Sequence, residues 1–312
     1  MYNYYTLIKK KKYLHTDKQK GEKTMKINTL FTPSKPVFSL EVFPPKKSSN
    51  IDTIYETLGE LKTVEPDFIS VTYGAGASVA DTSTIQIANH IKSKLNIEPL
   101  AHLTCVASTK EQVKTRVEQF KEFGIENVLA LRGDKNPEML EAKDFAHASD
   151  LTRVIKQSGD FNVVGACYPE GHYENKTLEI DIDNLKYKID AGATHLITQL
   201  FFDNNSFYHF LDVARGRGVN VPVQAGIMPI VKVQQIERTV ALSGASLPMK
   251  FTKMISKYDS DSEALFDAGI EYAVEQICDL LSNGVDGIHL YTMNNAKVAK
   301  RVYEGVRSAL KR

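Results

Sequence analysis

The chain has 312 residues, 42% of them hydrophobic and 25% charged, which is enough for one large core or two small ones and excludes a disordered chain or a fibrous repeat. With 39 Lys and Arg against 38 Asp and Glu the net charge is +1, so no overall field draws the molecule to nucleic acid or an anionic membrane. The three cysteines, Cys105, Cys167 and Cys278, lie far apart and form no CxxC pair, which argues against a disulfide framework or a structural zinc and fits a reducing cytoplasm.

Residues 1–26 carry eight lysines and only Asp17 and Glu22 as acids, a local charge of +6 that leaves −5 for the remainder. With no sustained apolar period, this stretch is expected to be a lysine-rich, disordered extension, and Met25 could be the biological start. A solvated tail and a weak contact with nucleic acid or an anionic surface are both open to it. No apolar run approaches the roughly 18–20 residues that span a bilayer, and no apolar segment backs the N-terminal charges, so neither export nor membrane insertion is expected.

From Pro36 onward, eight short apolar and β-branched runs recur at 37–43, 67–73, 99–105, 127–132, 161–167, 194–200, 222–227 and 286–292. Between them lie segments with helical apolar spacing, several closed by Gly in the manner of a C-cap. Eight strands alternating with helices predict an α/β fold, a (β/α)8 TIM barrel over residues 27–312. The seventh interval is long, holding VQQIERTVALSG and MKFTKMISKY, which predicts an extra helical segment or lid between strands seven and eight. The competing architecture is a doubly wound sheet, for which Gly74 and Gly76 after the second run supply a G-x-G; the third Gly of a dinucleotide fingerprint is missing.

In a barrel, chemistry collects at the carboxyl ends of the strands. The polar residues ending these runs are Glu41, Thr72 and Tyr73, His102 and Thr104, Arg132 with Asp134, Tyr168, Gln199 and Tyr291. A carboxylate inside SLEVF needs a partner or a proton, so Glu41 is either one half of an ion pair or a proton-transfer group. Arg132-Gly133-Asp134 puts a cation, a flexible link and a carboxylate at one strand tip, which suits an anionic cofactor bearing a polar heterocycle, or else a loop salt bridge. Cys167, Glu170 and His172 imitate a metal cluster, but no second group at ligand spacing accompanies them, so no metal is expected. Ser78 lies outside any G-x-S-x-G, which makes a serine hydrolase a poor reading. Asp181, Asn184 and Lys188 fall at i, i+3 and i+7, one face of a helix, either a solvated stripe or a nucleotide-contacting wall beside Tyr168 and His172.

The segments SLEVFPPK, SVTYGAGAS, HLTC, LALRGD, ACYPEGH, NLKYKIDAGATHLITQLFFD, AGIMPI and HLYTMN, in this order from about residue 37 to 295, resemble the bacterial methylenetetrahydrofolate reductases. The resemblance implies a one-domain, cytoplasmic, commonly homo-oligomeric FAD enzyme of one-carbon metabolism. Such an enzyme reduces 5,10-methylenetetrahydrofolate to 5-methyltetrahydrofolate with NADH or NADPH. It implies an FAD site of Thr72, Tyr73, Ala75, His102, Arg132, Gly133, Asp134, Ala148, Tyr168, His172, Asp181, Asn184 and Lys188. Gln199, Gln235 and Tyr291 would lie on the folate side, with Glu41 as proton donor and Asp134 holding the pterin and biasing the flavin. Two positions depart from the family pattern. Asn295 in YTMNN replaces an arginine expected to bind the folate, with Lys297 and Arg301 the nearest cations in sequence, and Tyr187 stands where some relatives carry a basic residue.

The leading reading is therefore a ping-pong flavoenzyme, in which hydride passes from NAD(P)H to FAD and then to the folate. The alternatives are the same folate reduction with electrons from a partner protein, since no Rossmann site demands nicotinamide, and a folate- or flavin-binding accessory subunit without turnover. Retention of both Glu41 and Asp134 counts against the last.

Overall fold

The computed structural model describes residues 25–45, 50–73, 82–134 and 142–311. Eight strands, β1 (Val37–Val42), β2 (Phe68–Val71), β3 (Glu98–Thr104), β4 (Asn127–Leu131), β5 (Asn162–Cys167), β6 (Ala193–Thr198), β7 (Val223–Ile227) and β8 (Gly287–Tyr291), pair in parallel in chain order. β1 meets β8 as well as β2, so the sheet closes into a barrel and the doubly wound alternative is excluded. Each sequence run contains or overlaps its strand within a residue or two.

Because side chains alternate across a strand, one set of positions fills the lumen and the other packs outward on helices. The lower lumen is apolar, built from Val37, Phe68, Leu100, Leu129, Val164 and Ile197. A 3-10 turn, Ile27–Leu30, closes that end: Ile27 joins the same cluster, its N–H donates to Asn127 Oδ1 at 2.9 Å, and the Phe31 ring rests against buried His195. The outward set, including Leu40, Ile69, Val128, Leu196 and Leu290, packs on the surrounding helices, each such side chain contributing about 1.5–3 kcal/mol by leaving water.

Six helices each follow their strand: α1 (Asp52–Leu61), α2 (Ser83–His90, running into a π turn), α3 (Lys110–Glu122), α4 (Ala148–Ser158), α5 (Leu178–Asp190) and α6 (Asn204–Gly216). The seventh interval holds two extra helices, α7 (Val233–Ser243) and α8 (Met249–Tyr258), before α9 (Ser262–Ser282) returns the chain to β8 and α10 (Ala296–Leu310) ends it. The excursion is anchored to the segment after β6: Phe251 stacks on Phe202 at 4.5 Å between ring centroids, and Tyr272 donates its hydroxyl to the Phe202 carbonyl at 2.6 Å. No helix among the described residues is long and apolar enough to cross a membrane.

Candidate active site

Above the apolar layer the lumen turns polar, because the next inward positions are Ser39, Ser70, His102 and His289 and, one step higher, Glu41. These open into a cavity of about 1510 Å3 at the carboxyl ends of the strands. Its volume exceeds the roughly 300–1,000 Å3 of an ordinary small-molecule site, leaving room for a large cofactor and a substrate together.

Glu41 sits on its floor between two imidazoles: Oε2 is 3.5 Å from His102 Nε2 and 3.4 Å from His289 Nε2. Ser70 Oγ lies 2.5 Å from His102 Nε2, and Ser39 Oγ 2.7 Å from His289 Nδ1. Burial pushes the His102 pKa down to about 4, against the opposing pull of Glu41, so this ring is neutral near pH 7 and its contact with Glu41 is no fixed ion pair. Thr292 Oγ1 donates to the Glu41 carbonyl at 2.6 Å, and Asn294 takes both the N–H and the carbonyl of Phe43, so the loop after β8 holds the acid's own backbone. Met293 and Asn294 adopt left-handed conformations, φ 52° and 54°, to make that stitch.

One wall is built by β4, β5, α4 and α5. Arg132 forms a two-pronged ion pair with Glu174, at 2.5 and 3.0 Å. Gly133 follows with φ +87°, where a Cβ would come 3.1 Å from Val106 and 3.2 Å from Thr104; only glycine turns the chain there without strain. Asp134, Ala148 in the first turn of α4, and Tyr168 also line this wall. Burial, reinforced by Asp134 and Asp181, pushes the Tyr168 hydroxyl up to about 12. The α5 face read from the sequence does point inward: Asp181, Asn184 and Lys188 all line the cavity. Asp181 accepts from Asn175 Nδ2 at 2.7 Å and from the His172 N–H at 3.2 Å; Lys188 donates to the Ala166 carbonyl at 2.7 Å, and burial lowers its pKa. Tyr187 lies on the same wall and is 60% exposed. Cations, the positive end of α4, carboxylates and aromatic rings along one wall suit an elongated ligand that carries both anionic groups and heterocycles.

Thr72 and Tyr73 line the cavity after β2, and Gln199 and Tyr291 line its opposite side. Ala75, Gly74, Gly76 and Ser78 lie outside the described residues. Gln235 is not brought into the cavity wall: its Oε1 accepts from the Val231 N–H at 2.9 Å, which fixes the start of α7. Asn295 is the N-cap of α10, its Oδ1 accepting from the Val298 N–H at 3.2 Å. Neither nearby cation replaces the expected arginine, since Arg301 pairs with Asp267 at 3.0 Å and Lys297 lies over the Phe266 ring at 4.6 Å. Cys167, Glu170 and His172 do not converge: Cys167 is a buried thiol whose pKa burial raises, and Glu170 accepts from the Ser246 N–H. Among the described residues no group of three His, Cys, Asp or Glu is placed to hold a metal.

Sequence reading missed Ser39, Ser70 and His289, which surround the floor, and Glu174, which engages Arg132. Ser39 and His289 were within reach of strand alternation, two positions before Glu41 and Tyr291; Glu174 sits in a loop, where no period marks it.

Residues 26–307 match the family model described as methylenetetrahydrofolate reductase. The chain is 36% identical over 261 residues to the 5,10-methylenetetrahydrofolate reductase of Pectobacterium carotovorum subsp. carotovorum, covering 84% of this chain and 87% of that one. It is 34% identical over 274 residues to the enzyme of that name from Escherichia coli K12, covering 87% and 92%. Among solved structures, a Clostridium thermocellum protein described as binding two copies of 5-methyl-5,6,7,8-tetrahydrofolic acid superposes with a TM-score of 0.62 over 90% of this chain and 99% of its own. At 14% identity that match speaks to the fold alone.

Proposed function

The chain belongs to the methylenetetrahydrofolate reductase family and is an oxidoreductase, and from that premise we propose that it works with FAD as resident cofactor and NADH or NADPH as hydride donor to make 5-methyltetrahydrofolate. The residues present fit such a cofactor: the cavity is large enough, and its wall offers Arg132, Lys188 and the α4 N-terminus to anionic groups. Thr72, Tyr73, His102, Gly133, Asp134, Ala148, Tyr168, His172, Asp181 and Asn184 would complete the set that holds it. When bound, the flavin supplies the hydride store between donor and folate.

The chain's own part in the chemistry is the proton. Opening the five-membered ring of the folate requires protonation of the departing nitrogen, and Glu41 is the carboxyl at the cavity floor placed to give it. The observation that carries this reading is the setting of Glu41, sunk between the His102 and His289 rings and paired, among the described residues, with no lysine or arginine. The His102 ring beside it is neutral near pH 7, so no fixed cation among the described residues sits against this carboxyl. Gln199 would face the folate from just past the end of β6, and Asp134 would meet the pterin beside the flavin.

The test is the flavin's own absorbance. Purified protein should bind FAD, be bleached anaerobically by NADH or NADPH, and recover its colour on adding methylenetetrahydrofolate. Protein that refuses FAD would overturn the reading, and a flavin reduced by neither nicotinamide but reoxidised by folate would point to a partner protein as donor.

A further inference from the structure

The barrel does not hydrogen-bond evenly around its rim. The β5–β6 ladder runs up to Cys167 opposite Thr198, and β7–β8 up to Ile227 opposite Leu290. Between β6 and β7 only Leu196–Val223 and Ile197–Gln224 pair, so the backbone ladder stops at Ile197. Where the ladder stops, a side chain from two strands away takes over the next carbonyl. Tyr291, on β8, crosses β7 and donates its hydroxyl to the Thr198 carbonyl at 2.7 Å. The Gly226 N–H turns instead to Thr198 Oγ1, at 2.8 Å.

Glycine at 226 is what lets the ring pass. A Cβ there would stand 2.4 Å from the Thr198 carbonyl oxygen, 2.8 Å from Tyr291 Cε2 and 2.9 Å from the Tyr291 hydroxyl. Burial raises the Tyr291 pKa well above its ordinary value, so the hydroxyl stays a donor across the working pH range.

The residue just after β6 is Gln199. Its N–H donates to the Cys167 carbonyl at 2.7 Å, and its side-chain Oε1 accepts from the Leu200 N–H at 2.9 Å, which leaves the Nε2 group for a ligand. Tyr291 is also the register partner of Glu41 on β1. One ring therefore links the strand beside the acid to the end of β6 next to Gln199, at a point where the backbone ladder is absent.

We infer that Tyr291 is a positioning residue for the folate reaction, a side-chain strut that takes the place of the missing β6–β7 ladder and fixes Gln199 relative to Glu41, with Gly226 as the gap it needs. This rests on Gln199 facing the folate. Tyr291 then acts through Gln199 rather than as a substrate contact in its own right, and the ligand it governs is the folate's polar ring system.

A double-mutant cycle tests it. Tyr291→Phe keeps the ring and removes the strut's hydrogen bond, and should raise the folate KM about five- to tenfold while moving kcat less, the effect of one lost hydrogen bond. Thr198→Val, which removes the Gly226 N–H acceptor without changing shape much, should shift the folate KM in the same direction. In a Gln199→Ala background Tyr291→Phe should add almost nothing, because the residue it positions is gone. If Gln199→Ala alone leaves the folate KM at the parental value, the assignment of Gln199 to the substrate fails, and the strut with it. If Gln199→Ala raises KM while Tyr291→Phe is silent, or the two effects multiply, the strut alone is overturned. Thermal melts of all variants separate loss of fold from loss of positioning.

Discussion

The Glu41 carboxyl meets the His102 and His289 rings, which in turn contact Ser70 and Ser39. Glu41→Gln preserves shape and most hydrogen bonding but removes the transferable proton. We expect the folate half-reaction to fall by roughly two to four orders of magnitude, with the nicotinamide half-reaction far less affected, as read by stopped-flow absorbance. Folate turnover at the parental rate would make Glu41 a structural carboxylate. Arg132 presents a different balance, since its fork is already engaged by Glu174. Arg132→Ala should weaken FAD binding by about tenfold or more, measured by flavin fluorescence on titrating apoprotein, because a charge-assisted contact contributes roughly 1.5–3 kcal/mol. Unchanged FAD affinity would leave Arg132 as no more than half of a loop salt bridge. These residues were legible because inward strand positions at a barrel rim are few, and a charged one among them stands out. Strand alternation could place Ser39 and Ser70 facing inward but not show what they touch, because they look like ordinary strand serines until the closed sheet faces them with imidazoles.

At the scale of elements, the loop after β8 shows how one short segment serves two tasks. Thr292 and Asn294 stitch to β1 beside Glu41, while Asn295 starts α10. Asn295→Arg therefore exchanges a helix cap for a charge. It should lower stability by about 1 kcal/mol, visible as a reduced melting temperature, whatever it does to the folate KM. A melt unchanged by the substitution would show that the cap contributes nothing. Gln235 is spent in a related way, its side chain satisfying the backbone where α7 begins. The seventh interval was legible as more chain than one barrel helix uses. That the surplus folds as two helices clamped by Phe202, Phe251 and Tyr272 was not, because aromatic residues at helical spacing do not announce which cluster they join.

For the whole molecule, the lumen carries a consequence for pH. His195 is fully buried, lies against Phe31, and has its Nδ1 3.2 Å from Thr194 Oγ1; burial, with His289 adding to it, lowers its pKa to about 3. His102 is lowered to about 4. Both rings are neutral in the folded protein, whereas in the unfolded chain a histidine takes a proton near pH 6.5. The unfolded state then binds more protons as pH falls, so stability is complete above about pH 6.5 and is lost on acidification toward the folded values, at about 1.4 kcal/mol per pH unit for each ring within that window. Urea midpoints should fall between pH 7.5 and 5. His195→Leu, which removes one titration away from the cavity and leaves no polar atom behind, should make that fall shallower; an identical slope in the variant would show that His195 does not report burial in this way.

The sequence by itself determined the number and order of the strands, the closed α/β architecture, and the rim residues, because burial on a strand or helix face imposes a period that composition cannot hide. It also carried the family resemblance, since the rim segments keep their order along the chain. Only the tertiary structure decided which neighbour each rim residue meets. Register and closure bring Tyr291 over Gly226 to Thr198, place Glu41 between two imidazoles, and leave Asn295 capping a helix. Apart from the local cap at Asn295, those contacts join residues from 28 to 248 positions apart in sequence, and no local pattern encodes a pairing that exists only once eight strands have closed on themselves.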